Sequence, residues 1–458
     1  MTPFITRIFT KSHAVLEIKT LVSLAMPVLL SHLLQTFMVV VDTMMSGHYS
    51  ATDLSAVAIG GSIWFPIYLI AIGVISALTP VVAHLHGAKQ FRDIAKNTYQ
   101  ALYIAILLCP LLISTVFFIE PLLRFINADP DVQPIAAAYL KALFLGFPPL
   151  VLFTVLRSYS DGVSITKPAV ITSLLALIIN VPLNYALIYG KFGLPELGGE
   201  GCGWATAASL YVMFFTMVFI VLKKEYRAFS LFDQFYPWHW PSVRHLLAIG
   251  TPIGLTFFVE ASMFGVVALF LASLGPIVVA AHQIALNVAT TTFMIPLSLS
   301  IALTIRVGFL LGSQEYERAK FIIKLGLALA IVYACFSAIA LFLLRNNIPK
   351  LYTNEVDVIL LGGTLLMYAA IFQLADGIQV SCAGALRGYK DTRSPLIIMM
   401  LTFWCFGLPL GYTLGLTDYL GPARQAVGFW LGLVAGLFTA SLLLAIRLRF
   451  VTRKPKLY

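Results

Sequence analysis

Three carboxylates stand where a charge is hard to keep. Asp42 lies in the run FMVVVDTMM, Glu260 in LTFFVEASMF and Asp376 in IFQLADGIQV. The remaining Asp and Glu, seventeen of 20, fall in loops, in termini or at the edges of apolar stretches. An ionisable group in hydrocarbon costs at least a few kcal/mol and therefore faces a bundle interior or a wet cavity. Two chemistries suit such groups. Burial favours the neutral form of a carboxyl, which poises it to exchange a proton near neutral pH. Alternatively, two carboxylates with neutral oxygens beside them hold Na+, a hard cation that prefers oxygen ligands. No Lys or Arg lies at comparable depth in the same stretches, so the sequence offers these acids no local counter-ion.

The elements that position them must lie in lipid. The 458 residues are 60% hydrophobic and 11% charged, against about 25% charged in soluble domains. A span needs about 20 mostly apolar residues. Twelve such stretches are predicted: 20–44, 55–83, 97–119, 134–156, 168–190, 203–222, 246–272, 278–305, 321–344, 361–385, 395–417 and 427–447. Glu260 in span 7 and Asp376 in span 10 fall in the middle third of the bilayer at similar depth, which allows one shared site. Asp42 lies nearer the outer end of span 1, where it reads as an auxiliary charge.

Basic residues set the orientation. Twenty-four of the 30 Lys and Arg lie on one side, including Arg7, Lys11 and Lys19 near the start, Arg387 after span 10, and Arg447, Arg449, Arg453, Lys454 and Lys456 at the end. The opposite loops hold Arg124, Lys191, Arg345, Lys350 and Arg424. Loop charge bias fixes topology, so both termini are expected in the cytoplasm. The net charge of +10 is then a property of cytoplasmic loops and implies no nucleic-acid partner. The sequence contains no GxxxxGK[ST] loop and no Cys/His cluster at zinc spacing, so neither ATP nor a zinc cofactor is expected. The five cysteines read as packing residues.

A shift of 225 residues lays the chain on itself. Pro27 falls on Pro252, and Ala77-Leu78-Thr79 with Gly87 falls on Ala302-Leu303-Thr304 with Gly312. Later matches need small shifts, as for LRSYSD (156–161) on LRGYKD (386–391) and PLNYAL (182–187) on PLGYTL (409–414). A repeat of six spans re-enters from the same side, which makes the halves parallel repeats with a substrate path expected between them. The expected division is 1–222 and 246–458, each a six-helix bundle, with 223–245 as a cytoplasmic linker. Glu260 falls on Gln35, so the halves share a scaffold and differ in charge.

Other polar groups in the spans are candidates of second rank. Asn180 and Asn184 share a helix face beside Pro182, as a kinked polar cavity wall or as interhelical packing partners. His282, Gln283 and Asn287 open span 8, either on a substrate path or in interface hydrogen bonds.

At VDTMMSG (41–47), ALTPVVAHLHGA (77–88), LRSYSDG (156–162), NVPLNYALIYGKFGLPELGGEGCG (180–203), FFVEASMF (257–264), VVAAHQIALN (278–287), IRVG (305–308) and ADGIQV…GALRGYKD (375–391), the chain resembles the multidrug and toxic compound extrusion (MATE) family, in its NorM-like bacterial branch. The resemblance implies an all-α, V-shaped pair of six-helix bundles. It implies no enzyme but an antiporter, a monomer in the bacterial inner membrane, in which entry of Na+ or H+ drives export of amphipathic, often cationic drugs and dyes. Glu260 and Asp376 match the family's cation site, the expected place for Na+, and Asp42 matches its first-half acid. Gln35, Asn180, Asn184, Gln283, Asn287 and Phe372 are the expected substrate path. Phe372 departs from relatives that carry a tyrosine there, so a hydroxyl ligand is missing. The alternative is a lipid-linked oligosaccharide flippase of related helix plan. It would be expected to carry basic residues in its cavity, whereas the interior charges read from this sequence are acidic.

Overall fold

The computed structural model describes residues 11–125, 129–229, 231, 233–419 and 421–453, and the basic residues Arg7, Lys454 and Lys456 lie outside the described residues. Among the described residues every regular element is helical. Eleven helices are long and apolar enough to span a bilayer, and a bent pair makes the twelfth. We label them α1 (Ala14–Tyr49), α2 (Ala51–Gly87), α3 (Phe91–Phe125), α4 (Val132–Phe144 with Phe147–Gly162), α5 (Lys167–Tyr189), α6 (Gly199–Val221), α7 (Trp240–Ala272), α8 (Pro276–Gly312), α9 (Tyr316–Leu344), α10 (Val356–Gly388), α11 (Arg393–Leu416) and α12 (Gln425–Arg453). The 42° bend in α4 sits just before Pro148-Pro149, whose rings cannot continue the preceding turn. α10 has no proline and continues as one helix. Large apolar side chains such as Leu269 and Phe219 point outward and are largely exposed, as a lipid-facing surface requires.

The chain forms two compact units, Pro27–Gly254 and Met1–Met26 with Leu255–Tyr458. The junctions therefore fall inside α1 and α7, next to the repeat-related Pro27 and Pro252, rather than in the 223–245 segment. That segment is fixed to α3. Gln100 donates to the Pro237 carbonyl and accepts from the His239 N–H (3.0 and 2.8 Å), and Tyr103 donates to the Tyr236 carbonyl (2.8 Å). In the other unit the buried Glu17, near the start of α1, is clasped by Arg306 (2.9 Å) and Arg318 (2.6 Å).

The repeat is visible in each unit's packing. Lys89 and Gln314, 225 apart, both take positive φ, as do Ser164 and Lys390, 226 apart. Thr79 donates to the Ser158 carbonyl and Thr304 to the Gly384 carbonyl, the donors 225 and the acceptors 226 apart. Gly162 lies against Val82, and Gly388 against Val307. This register corrects the match of LRSYSD to LRGYKD, whose shift of 230 is one helical turn too long. Similar letters sit one turn apart, and the structural counterpart of Arg387 is Asp161.

α5 and α11 answer the same need for a bend differently. α5 keeps an α-helical path through Pro182. In α11 the residues Met400–Gly407, just before Pro409, form a π-helix, the wider turn that accommodates a proline ring and a missing N–H. Gly407, Gly411 and Gly415 then face Gly428, Gly432 and Gly436 of α12. A Cβ on Gly432 would stand 2.5 Å from the Gly411 backbone. Small residues let helices in lipid approach closely enough for dispersion to hold them. Gly432→Val should therefore force α11 and α12 apart and cost about 2 kcal/mol or more. It should lower Tm in detergent by several degrees, while Gly61→Ala, whose Cβ would meet nothing within 4 Å, should leave it unchanged.

Candidate ion and substrate site

Nine acids of the described residues are buried or half-buried, and their partners sort them. The half-buried Glu200 accepts from Trp204, and Glu315 pairs with Arg318. Glu17 has its two arginines. Asp161 pairs with Arg157 at 3.6 Å and Asp391 with Arg447 at 2.7 Å. Asp53 pairs with Ser50 and accepts the Gly199 N–H at the start of α6. Each lies near a helix end and is satisfied by a cation or by helix-end donors. Asp42, Glu260 and Asp376 have no ion pair within 4 Å among the described residues.

In the unit Pro27–Gly254, Asp42 is closed off among α1, α5 and α6. Asn184 Nδ2 donates to Asp42 Oδ1 at 2.6 Å and Thr206 Oγ1 donates to Oδ2 at 2.8 Å. Asn184 Nδ2 also reaches Asn180 Oδ1 at 3.0 Å. The i, i+4 spacing of the asparagines on α5 puts both on the face that meets α1. Asn180 Nδ2 and Asn184 Oδ1 have no protein partner, so the cluster still has one donor and one acceptor to offer. Gln35, about two turns earlier on α1, donates to Ser31 and Ser173 hydroxyls at 3.2 and 3.1 Å and so ties α1 to α5. Asp42 thus has a polar shell of its own.

In the other unit, Glu260 on α7 and Asp376 on α10 lie within electrostatic reach of each other. Both acids lie in the same unit. Asp376 is 3% exposed, whereas Glu260 is half-buried, so Glu260 is the member with access. Gln373, three residues before Asp376, donates to Thr292 Oγ1 (2.6 Å) and the Ala289 carbonyl (3.2 Å) on α8. Tyr333 on α9 donates to the Thr292 carbonyl at 2.8 Å and is within electrostatic reach of Asp376. A tyrosine hydroxyl is therefore present near the aspartate, supplied by α9 and not by position 372.

Phe372 itself is buried edge-on against Phe264 and Trp430, with centroids 6.1 and 6.3 Å away. It packs in the apolar core of this unit. His282 is likewise buried, beside Trp430 at 6.0 Å. Gln283 and Asn287 are exposed one turn apart on α8, with Thr291 a further turn on. A stripe of amides and hydroxyls suits water or a polar substrate and not lipid tails.

The interior charge is also not purely acidic. Arg387, assigned by sequence to the cytoplasmic loops, occupies the last turn of α10 and turns inward, within electrostatic reach of Glu260. Sequence reasoning passed over Thr206, Tyr333, Gln373 and Arg387. A threonine, tyrosine or glutamine in a span is common, and only helix rotation decides whether it meets an acid. For the Asp42 cluster, Thr206→Val should keep the side-chain volume and remove one donor, at about 1 kcal/mol. Asn184→Leu removes the other donor and strands the asparagine beside it. A thermal melt in detergent should show a larger drop for Asn184→Leu than for Thr206→Val.

Among the described residues no group of three or more His, Cys, Asp and Glu could hold a metal ion. A cation at Glu260 and Asp376 would be transported cargo, completed by neutral oxygens.

Comparison with known proteins agrees with this architecture. The MatE family model matches residues 27–186 and again 252–413, each match opening on one of the two repeat-related prolines. The chain is 42% identical over 451 residues to the multidrug resistance protein PmpM of Pseudomonas aeruginosa, covering 96% of this chain and 94% of that one. It is 41% identical over 446 residues to the multidrug resistance protein MdtK of Yersinia enterocolitica, covering 97% and 98%. In fold it superposes on the Vibrio cholerae MATE transporter VcmN in its bent form with TM-score 0.84 at 18% identity, over 98% and 100% of the two chains. The eukaryotic MATE transporter AtDTX14 gives TM-score 0.85 at 20% identity, over 96% and 98%. With twelve spans, a six-span repeat and family matches in both halves, this chain belongs to the MATE family of membrane transporters.

Proposed function

We propose that this protein is a cation-coupled antiporter of the bacterial inner membrane, with both termini cytoplasmic, that exports amphipathic, often cationic drugs and dyes. The observation that carries the reading is the Glu260–Asp376 pair: two carboxylates from different helices, within reach of each other, inside one apolar bundle. The full-length likeness to relatives named multidrug resistance proteins supports the substrate class.

In the outward-open state, Na+ or H+ reaches Glu260, the accessible member, and is shared with Asp376. The neutralised pair loses its attraction for a cationic substrate, which leaves to the outside. In the inward-open state the cation departs and the site accepts a new drug molecule. A univalent cation entering through 100 mV supplies about 2.3 kcal/mol, roughly a 50-fold concentration ratio, for export of a neutral substrate. One-for-one exchange with a univalent cationic substrate moves no net charge, so that export draws on the cation's own concentration gradient or on a second entering cation. The buried Asp42 cluster, with its spare donor and acceptor, offers a second polar locus for substrate.

Glu260→Gln and Asp376→Asn should each abolish cation-driven efflux of a fluorescent cationic dye while leaving yield and Tm near wild type. Normal efflux in both variants would remove the assignment. Dye transport in proteoliposomes under an imposed Na+ gradient, then under an imposed pH gradient, identifies the coupling ion. Transport under neither gradient would count against antiport.

A further inference from the structure

Among the described residues, the guanidinium of Arg387 is the cationic group within electrostatic reach of Glu260, and its surroundings hold it loosely. Arg387 Nη2 donates to Ser300 Oγ at 2.9 Å. Ser300 Oγ in turn donates to the Val380 carbonyl at 2.6 Å, which fixes its lone pairs toward the arginine. The guanidinium lies 5.8 Å from the centre of the Phe257 ring, one turn before Glu260 on α7. Its Nε–H is buried without a partner. Arginine stays charged and has five N–H donors, so this one keeps unused capacity.

The two units handle this position differently. Its counterpart is Asp161, neutralised by Arg157 one turn earlier on the same helix. Before Arg387 the same place is Ala383, and the nearby Asp391 is taken by Arg447. The charge of Arg387 has no carboxylate within 4 Å among the described residues, and the acid within its electrostatic reach is Glu260.

We propose that Arg387 is a positioning residue for coupling: a resident counter-charge that balances ionised Glu260 when no cation is held there and competes with the incoming cation. Ser300 and Phe257 are its resting contacts, from which a swing of the long side chain strengthens or relaxes the pairing. The competition keeps cation affinity low enough for release into the cytoplasm. This inference rests on Glu260 and Asp376 being the coupling pair.

The experiment is dye transport in proteoliposomes with the driving cation titrated, Na+ in one series and protons in another. Besides Arg387, the titratable groups around the site are Glu260 on α7, Asp376 on α10 and Tyr333 on α9. Arg387→Gln should lower the half-saturating cation concentration on the order of tenfold and reduce the maximal rate, because release slows. Arg387→Lys, which keeps the charge, should stay within about twofold of wild type. Ser300→Ala should shift half-saturation when it removes the resting contact, and it remains informative if Arg387→Gln does not fold. An unchanged half-saturation in Arg387→Gln, or in Ser300→Ala where the former is unfolded, overturns the proposal. Equal shifts in the Gln and Lys variants also overturn it, because shape and not charge would then matter. Loss of coupling in Glu260→Gln, measured alongside, tests the underlying reading separately.

Discussion

The cost of an unbalanced charge in an apolar bundle organises this molecule. Where no water can solvate an ion, each charged side chain must find a cation, a set of oriented donors or a wet surface. Glu17, Asp53, Asp161 and Asp391 meet that demand locally, through arginines and helix-end N–H groups. Asp42 meets it with amide and hydroxyl donors from two neighbouring helices. Glu260 and Asp376 meet it least well. Two like charges share a neighbourhood, with one arginine at its edge. A pair left short of compensation is what a transporter needs if a travelling cation is to supply the balance and later take it away.

The internal repeat shows how such an imbalance arises on a stable scaffold. The backbone is reproduced closely enough that positive-φ residues, threonine-to-carbonyl bonds and glycine contacts recur 225 or 226 residues apart. Chemistry is not reproduced. Gln35 stands for Glu260 and Asp161 for Arg387. The asparagine face of α5 gives way in α11 to glycines that pack against α12. Packing depends on shape and small residues, which both units need. Charge depends on single side chains, which can change without moving a helix. One unit has thus become a carboxylate–amide–hydroxyl cluster, and the other a carboxylate pair with a counter-ion.

The sequence by itself determined that the chain lives in a membrane, the number of spans, the repeat and the three stranded acids. These follow from composition, apolar run length and letter spacing, all of which are local. It also carried the family, because long motifs around the acids survive intact. Span ends were less legible, since helices such as α7 continue past their apolar stretch into polar residues that hydrophobicity does not register. The repeat register went wrong by one turn at LRGYKD, because a helix presents similar surfaces every three or four residues and letters alone do not distinguish adjacent turns.

Only the tertiary structure decided which helix faces meet. Whether Thr206 bonds Asp42, whether Tyr333 stands near Asp376, and whether Phe372 packs in a core all depend on helix rotation. The reach of Arg387 from the end of α10 back toward Glu260 depends on a long flexible side chain and on the Ser300 that anchors it. Sequence spacing describes neighbours within one helix. Electrostatic balance in this protein is settled between helices, and so it was decided by the fold.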